Sequence, residues 1–128
     1  MRLLLDTCTF LWAALDDPKL SADVRALLLD PENERLVSAA TAWEIAIKLG
    51  RGHLELPEQP KRWIPMGRRR LAANPLPIDE ESALQVAQLP PLHRDPFDRI
   101  LVAQAIVHGC VLLTPDPEIQ AYPVRVAW

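Results

Sequence analysis

Four carboxylates, Asp6, Glu44, Asp98 and Asp116, each stand where an apolar run ends or a helix-forming run begins. They are far apart along the chain. They meet in space if the apolar runs are strands of one parallel sheet, because the crevice of such a sheet opens beyond the carboxyl ends of its strands. Oxygen donors gathered there, without a His or Cys ligand set, suit Mg²⁺ or Mn²⁺. A cation held in this way activates a water and stabilises charge on a phosphate, so the set predicts phosphodiester hydrolysis. Each acid also has a plainer role open to it. Asp6 can cap the helix that follows it. Thr41-Ala42-Trp43-Glu44 fits a capping box. Asp98 lies three residues after a cap at Asp95, where a helix dipole favours it, and Asp116-Pro117 can open a turn. Convergence separates the two readings. Packed carboxylates perturb one another's pKa, a cost that a cation relieves and from which a purely structural core gains nothing.

The elements that must position these acids are legible in outline. Leu3-Leu4-Leu5, closed by Asp6-Thr7, reads as a buried strand. Thr9 to Leu15 reads as a helix that is apolar on every side and must be covered on every side. In a small domain this predicts a second chain against it, with Phe10, Leu11, Trp12 and Leu15 as the contacts and Trp12 as the anchor. Ser21 caps a helix carrying Val24, Leu27 and Leu28 on one face. Arg35–Ser38 is a strand, followed by a helix from about Ala42 to Leu49 that ends at Gly50. The prolines between Leu56 and Pro77 predict a broken helix over Arg62–Ala72, then a short edge strand at Leu76-Pro77-Ile78. Asp79 caps a helix with Leu84, Ala87 and Leu89 facing inward. Asp95 and Pro96 open a further helix, through Ile100, Leu101, Ala105 and Ile106 to Gly109. Val111–Leu113 and Val124–Val126 are the last strands. Alternating strands and helices predict an α/β fold with a central parallel sheet and helices on both faces. The helix from Asp95 must run antiparallel to the strand after it, which brings Asp98 to the carboxyl edge.

Bulk properties narrow the function classes. The length of 128 residues predicts one domain spanning 1–128. With 49% hydrophobic and 24% charged residues, the composition is that of an ordinary globular chain. A net charge of −3 argues against an architectural DNA binder and leaves room for a local basic patch. The densest one is Arg68-Arg69-Arg70, with Lys61 and Arg62 upstream. Cys8 and Cys110 form no disulfide framework or zinc motif, so a reducing, cytoplasmic setting is expected. No leader-like or membrane-spanning apolar run is present, and no membrane partner is expected. His53, His93 and His108 lack metal-ligand spacing. No His is placed by sequence to activate Cys8 as a nucleophile.

Four blocks together resemble PIN-domain proteins, and specifically VapC-type toxins of bacterial toxin–antitoxin pairs. They are Leu3-Leu4-Leu5-Asp6-Thr7, Val37 through Lys48, His93-Arg94-Asp95-Pro96-Phe97-Asp98-Arg99, and Leu112-Leu113-Thr114-Pro115-Asp116. The resemblance covers nearly the whole chain in order. It implies a three-layer α/β/α fold with strand order 3-2-1-4-5 and a Mg²⁺- or Mn²⁺-dependent endoribonuclease. The family's acids fall on Asp6, Glu44, Asp98 and Asp116, with Asp6, Asp98 and Asp116 as metal contacts. A homodimer and a cognate antitoxin that covers the site are also implied. Cys8 stands where His or Ser is more usual, and Pro115 where a basic residue often separates Thr and Asp. Thr7 and Thr114, beside the acids, are candidate supports. Lys48 pairs with Glu44 four residues earlier or reaches a phosphate, and Arg68, Arg69 and Arg70 are candidate RNA-backbone contacts. Two other classes compete. One is a catalytically silent module that keeps the fold. The other is a receiver-like signalling domain that binds Mg²⁺ through clustered acids, but it requires a mid-chain acceptor Asp and a Lys after a late strand, and neither is found here.

Overall fold

The most apolar run of the chain lies at the centre of the molecule. In the computed structural model, which describes residues 1–128, β1 (Arg2–Leu5) pairs on both sides. Leu4 faces Leu36 of β2 (Glu34–Ser38) on one side and Leu112 of β4 (Val111–Leu113) on the other. β3 (Ala73–Leu76) and β5 (Val126–Ala127) take the edges. All pairings are parallel and the order is β3-β2-β1-β4-β5, as expected. A strand covered on both faces has no polar side, which is why Leu3, Leu4 and Leu5 follow one another without alternation.

The two faces carry separate cores. Leu4, Leu36 and Leu112 point to one of them and pack with Leu101 and Val102 of α6 (Pro96–His108), Ile119 and Tyr122. Leu3, Leu5, Val37 and Leu113 point to the other. There they meet Phe10 of α1 (Thr7–Ala14), Val24 of α2 (Ala22–Leu29), Ile45 of α3 (Ala39–Gly50), and Trp63 and Ile64 of α4 (Pro60–Arg70). This is the period-two division of a pleated sheet expressed as two hydrophobic layers.

Several boundaries differ from expectation for local reasons. α3 starts at Ala39 rather than near Ala42, because the Ser38 hydroxyl at the end of β2 accepts from the Ala40 N–H at 3.0 Å and caps the helix at once. α4 is unbroken through Pro65, with Pro60 at its start. The edge strand is Ala73–Leu76 instead of Leu76–Ile78, and Pro75 is tolerated within it because β3 has a neighbour on only one side. The last strand is Val126–Ala127 instead of Val124–Val126. After Asp79, α5 (Glu80–Gln85) passes into a 3₁₀ turn at Val86–Gln88. Leu84 and Ala87 are exposed while Ser82 and Leu89 are buried, since Leu84 lies about 200° around α5 from the inward-facing Ser82. No helix is long and apolar enough to cross a membrane.

Much of the cover over α1 comes from its own chain. Phe10 is wholly buried, edge-to-face with Trp63 at 5.7 Å. Trp12 packs edge-on against Trp128 at 5.7 Å, and Leu11 is half-buried in the same core. The helix is covered by α4 and by the last residue of its own chain, and of the four residues only Leu15 stays exposed.

Gly67 permits that packing. A Cβ built there lies 3.0 Å from Phe10 Cζ and 3.3 Å from Ala14 Cβ. Gly67→Ala adds about 1 kcal/mol of helix propensity, but the clash with a buried ring costs about 1–3 kcal/mol. We predict a net loss of stability of about 1 kcal/mol, read as a lowered denaturation midpoint. A midpoint above wild type would show that α1 and α4 can move apart freely.

Candidate functional site

The carboxyl edge of the sheet collects the ends of β1, β2 and β4 and the start of α6 (all parallel connections force this). Asp6 follows β1 and is 4% exposed. Its carboxylate caps α1, accepting from the Thr9 N–H at 2.8 Å. Burial pushes its pKa up, against hydrogen bonds from Thr114, Thr9 and Cys8. The Thr114 hydroxyl accepts from the Asp116 N–H at 3.1 Å. Asp116 itself caps the short α7 (Pro117–Gln120), accepting from the Glu118 N–H at 2.9 Å.

Glu44 is not in a capping box. Since Ser38 caps α3, Thr41 lies inside the helix and Glu44 falls in its second turn. Its buried carboxylate accepts from the Thr7 hydroxyl at 2.6 Å and pairs with Lys48 Nζ at 2.7 Å. Burial opposes the charge on Lys48, yet the Glu44 hydrogen bond and the charges of Glu44, Asp95 and Asp98 raise its pKa overall. Lys48 is therefore engaged with Glu44 rather than free for a phosphate.

Asp98 lies in the first turn of α6, behind the Asp95 cap. Burial and the adjacent Asp95 charge, with smaller contributions from Glu44 and Asp116, push its pKa up to about 7, against a hydrogen bond from His93. Glu44 and Asp116 thus act on the charge of Asp98, while Asp6 and Asp116 both act on Cys8. The four acids do not close into a finished ligand set: no three His, Cys, Asp or Glu groups stand together as a metal cage.

Two residues of the site escaped the sequence reading. His93 has no ligand spacing, yet its Nε2 lies 3.2 Å from Asp98 Oδ2 and its Nδ1 2.9 Å from the Tyr122 hydroxyl. That contact depends on Tyr122, beyond α7, so no local motif announces it. Asp95 reads as a cap and is one, accepting from the Phe97 and Asp98 N–H groups, but it is also the nearest charge acting on Asp98. Arg99 is committed elsewhere, donating to Pro90 O, Val86 O and the Tyr122 hydroxyl.

Cys8 is no nucleophile. Its thiol lies 3.3 Å from Asp6 Oδ1, and burial together with the Asp6 charge drives its pKa far above the ordinary thiol range. The basic triplet is likewise not a single patch. Arg68 lines a cleft with Ser38, Ala39 and Ala42 at the carboxyl edge. Arg70 lines a cavity with Arg25, Arg35 and Leu71 near the opposite edge. Successive helical residues point about 100° apart, and α4 runs antiparallel to the strands, so adjacent arginines reach different ends.

The donor chemistry fits a hard divalent cation. Every donor is oxygen, and Asp6 and Asp98 carry charge that burial disfavours and that Lys48, tied to Glu44, does not neutralise. Mg²⁺ is held by carboxylates with waters completing its shell.

Comparison with known proteins shows the family. The PIN domain family profile matches residues 3–124. Ribonuclease VapC16 of Mycobacterium tuberculosis is 42% identical over 66 residues, 48% of this chain and 47% of that protein, so the match spans about half of the relative's length. The fold is similar to that of VapBC2 from Rickettsia felis bound to a promoter DNA fragment, with a TM-score of 0.74 at 16% identity over 99% of this chain and 98% of that one. It is also similar to a toxin–antitoxin complex from Klebsiella pneumoniae, with a TM-score of 0.64 at 22% identity over 98% and 96%. With the profile matched over nearly the whole sequence, and with its sheet order and acid-lined edge in place, this chain belongs to the PIN-domain family.

Proposed function

We propose that this protein is a Mg²⁺- or Mn²⁺-dependent endoribonuclease, the toxin of a toxin–antitoxin pair, acting as a homodimer and restrained by a small antitoxin protein. The observation that carries the reading is the oxygen-only acid cluster at the carboxyl edge, whose Asp98 is pushed up to about 7 by burial and its acidic neighbours. A fold gains nothing from such repulsion unless a positive charge arrives to relieve it. The relationship to VapC16, and the likeness to complexes of toxins with antitoxins, support the substrate class and the partner.

Asp6 and Asp98, with Asp116, would hold the cation. Bound there, it supplies a water acidified toward neutral pH and charge stabilisation for the phosphate. The chain's own groups do the rest. Thr114 steadies the Asp116 segment through its hydroxyl. Thr7 and Lys48 hold the Glu44 carboxylate in a fixed position. Glu44 is thereby placed to accept a proton from an attacking water, and His93 orients the Asp98 carboxylate.

Incubation of the purified protein with a structured RNA tests this reading. Cleavage in Mg²⁺ or Mn²⁺, its loss in EDTA, and its restoration by excess Mg²⁺ are expected. Cleavage that survives EDTA would exclude the metal mechanism, and a complete lack of cleavage under all conditions would favour a silent interaction module. A toxin role further requires that a small protein encoded beside the gene co-purify with the chain and block the cleavage.

A further inference from the structure

Trp43 is 60% exposed, an unusual position for an indole in a domain that buries its other large aromatics well. It is not loose. Its ring rests edge-to-face on Phe97, with centroids 5.0 Å apart and planes at 79°, so one broad face is held outward. Each aromatic immediately precedes an acid, Trp43 before Glu44 and Phe97 before Asp98. The exposed face is therefore anchored to the two helices that carry these carboxylates. Beside it opens a cavity of about 390 Å³ whose lining includes Trp43, Ile78, Pro96, Ile100, Arg94 and Arg99, the last tied to Pro90 O, Val86 O and Tyr122. Arg94 is exposed and forms no ion pair in this structure. A rigid aromatic face, apolar walls and an unspent guanidinium form a combination suited to a flat ring carrying an anionic backbone.

We infer that Trp43 and Arg94 form a stacking subsite for an unpaired nucleobase of the RNA strand cut at the acids, with the base on the indole face and an adjacent phosphate on Arg94. The inference rests on the nuclease reading and deepens it: the substrate is single-stranded where it enters, because a base inside a duplex already has both faces stacked. Stacking tolerates any base, so the subsite selects an open strand more than a sequence.

Fluorescence anisotropy with a short labelled oligoribonucleotide, single-stranded or annealed to its complement, tests this in Ca²⁺, with light scattering on the same samples. Trp43→Ala is expected to weaken single-strand binding about tenfold and to leave duplex binding unchanged, while Trp43→Phe keeps most of the affinity. Arg94→Ala is expected to lower the slope of log affinity against log salt by about 1. Three results overturn the inference. If the wild type binds the single strand and Trp43→Ala binds it equally well, the subsite is wrong while the nuclease reading stands. If Trp43→Ala changes the oligomer mass with affinity per chain unaltered, the patch is a protein interface. If the wild type neither binds nor cleaves RNA, both readings fall together.

Discussion

Asp6→Asn is expected to lower RNA cleavage about a hundredfold or more while leaving the fold intact. The asparagine keeps an oxygen where Asp6 accepts from the Thr9 N–H, so the cap on α1 survives. What disappears is one negative charge in a site only 4% exposed. If that charge serves only the helix, its loss costs little, and folding even gains from relief of burial, which holds the Asp6 pKa up. If the charge serves catalysis, the loss resembles removal of a charge-stabilising group from an active site, typically a factor of 10²–10³. Single-turnover cleavage and thermal denaturation on the same sample separate the cases. An Asn variant as fast as wild type would reduce Asp6 to a cap. Asp6→Ala is the useful contrast, because it removes cap and charge together and should also lose about 1 kcal/mol of stability.

The second large effect is a pH dependence with opposite signs for stability and activity. In the folded protein Asp98 keeps its proton to about pH 7, whereas an unperturbed Asp releases it near 3.8. Between those values the native state binds more protons than the unfolded chain. Stability of the metal-free protein therefore falls as pH rises from about 4 to about 7, then levels off. The cause is burial first and the Asp95 charge second, with Glu44 and Asp116 adding to them. Asp98→Asn removes the group that ionises. We expect its melting temperature at pH 8 without metal to exceed that of wild type by several degrees, about 4 °C for each kcal/mol at this size. Mg²⁺ should narrow the gap by stabilising wild type more than the variant. Activity runs the other way: at limiting Mg²⁺ it should rise with pH as the metal-free Asp98 ionises and the cation binds, with cleavage lost in the variant. Melting curves across pH, with Mg²⁺ and with EDTA, measure the first half. A variant no more stable than wild type in EDTA at pH 8 would show that Asp98 is not under repulsive load.

Together these effects describe a site that works against its own fold. Asp6 and Asp98 are buried as acids in positions that disfavour their charge. Ordinary cores avoid this arrangement, and binding sites for cations require it.

The strands were legible because a strand covered on both faces must be apolar throughout: Leu3-Leu4-Leu5 and Val111-Leu112-Leu113 allow little else. The start of α6 was legible because Asp95 and Pro96 satisfy the first-turn N–H groups by themselves. From these local signals a parallel sheet and the gathering of the acids at one edge follow by the handedness of crossover connections, whereas the strand order came from the family resemblance. Other features depended on partners distant in sequence. Thr41 and Glu44 match a capping box perfectly well, and only the Ser38 hydroxyl at the end of β2 displaces them from that role. The apolar surround of α1 does call for cover, but sequence could not say that Trp63 and Trp128 of the same chain provide it. The contact of His93 with Asp98 needs Tyr122 on its other nitrogen. The split of Arg68 from Arg70 needs the direction of α4 against the sheet. By itself the sequence singled out the four acids and the edge they share, since burial period and capping act within a few residues. The tertiary structure alone decided which neighbours shift, hold or neutralise each acid, because charge and hydrogen bonding act through space between residues that the chain does not place side by side.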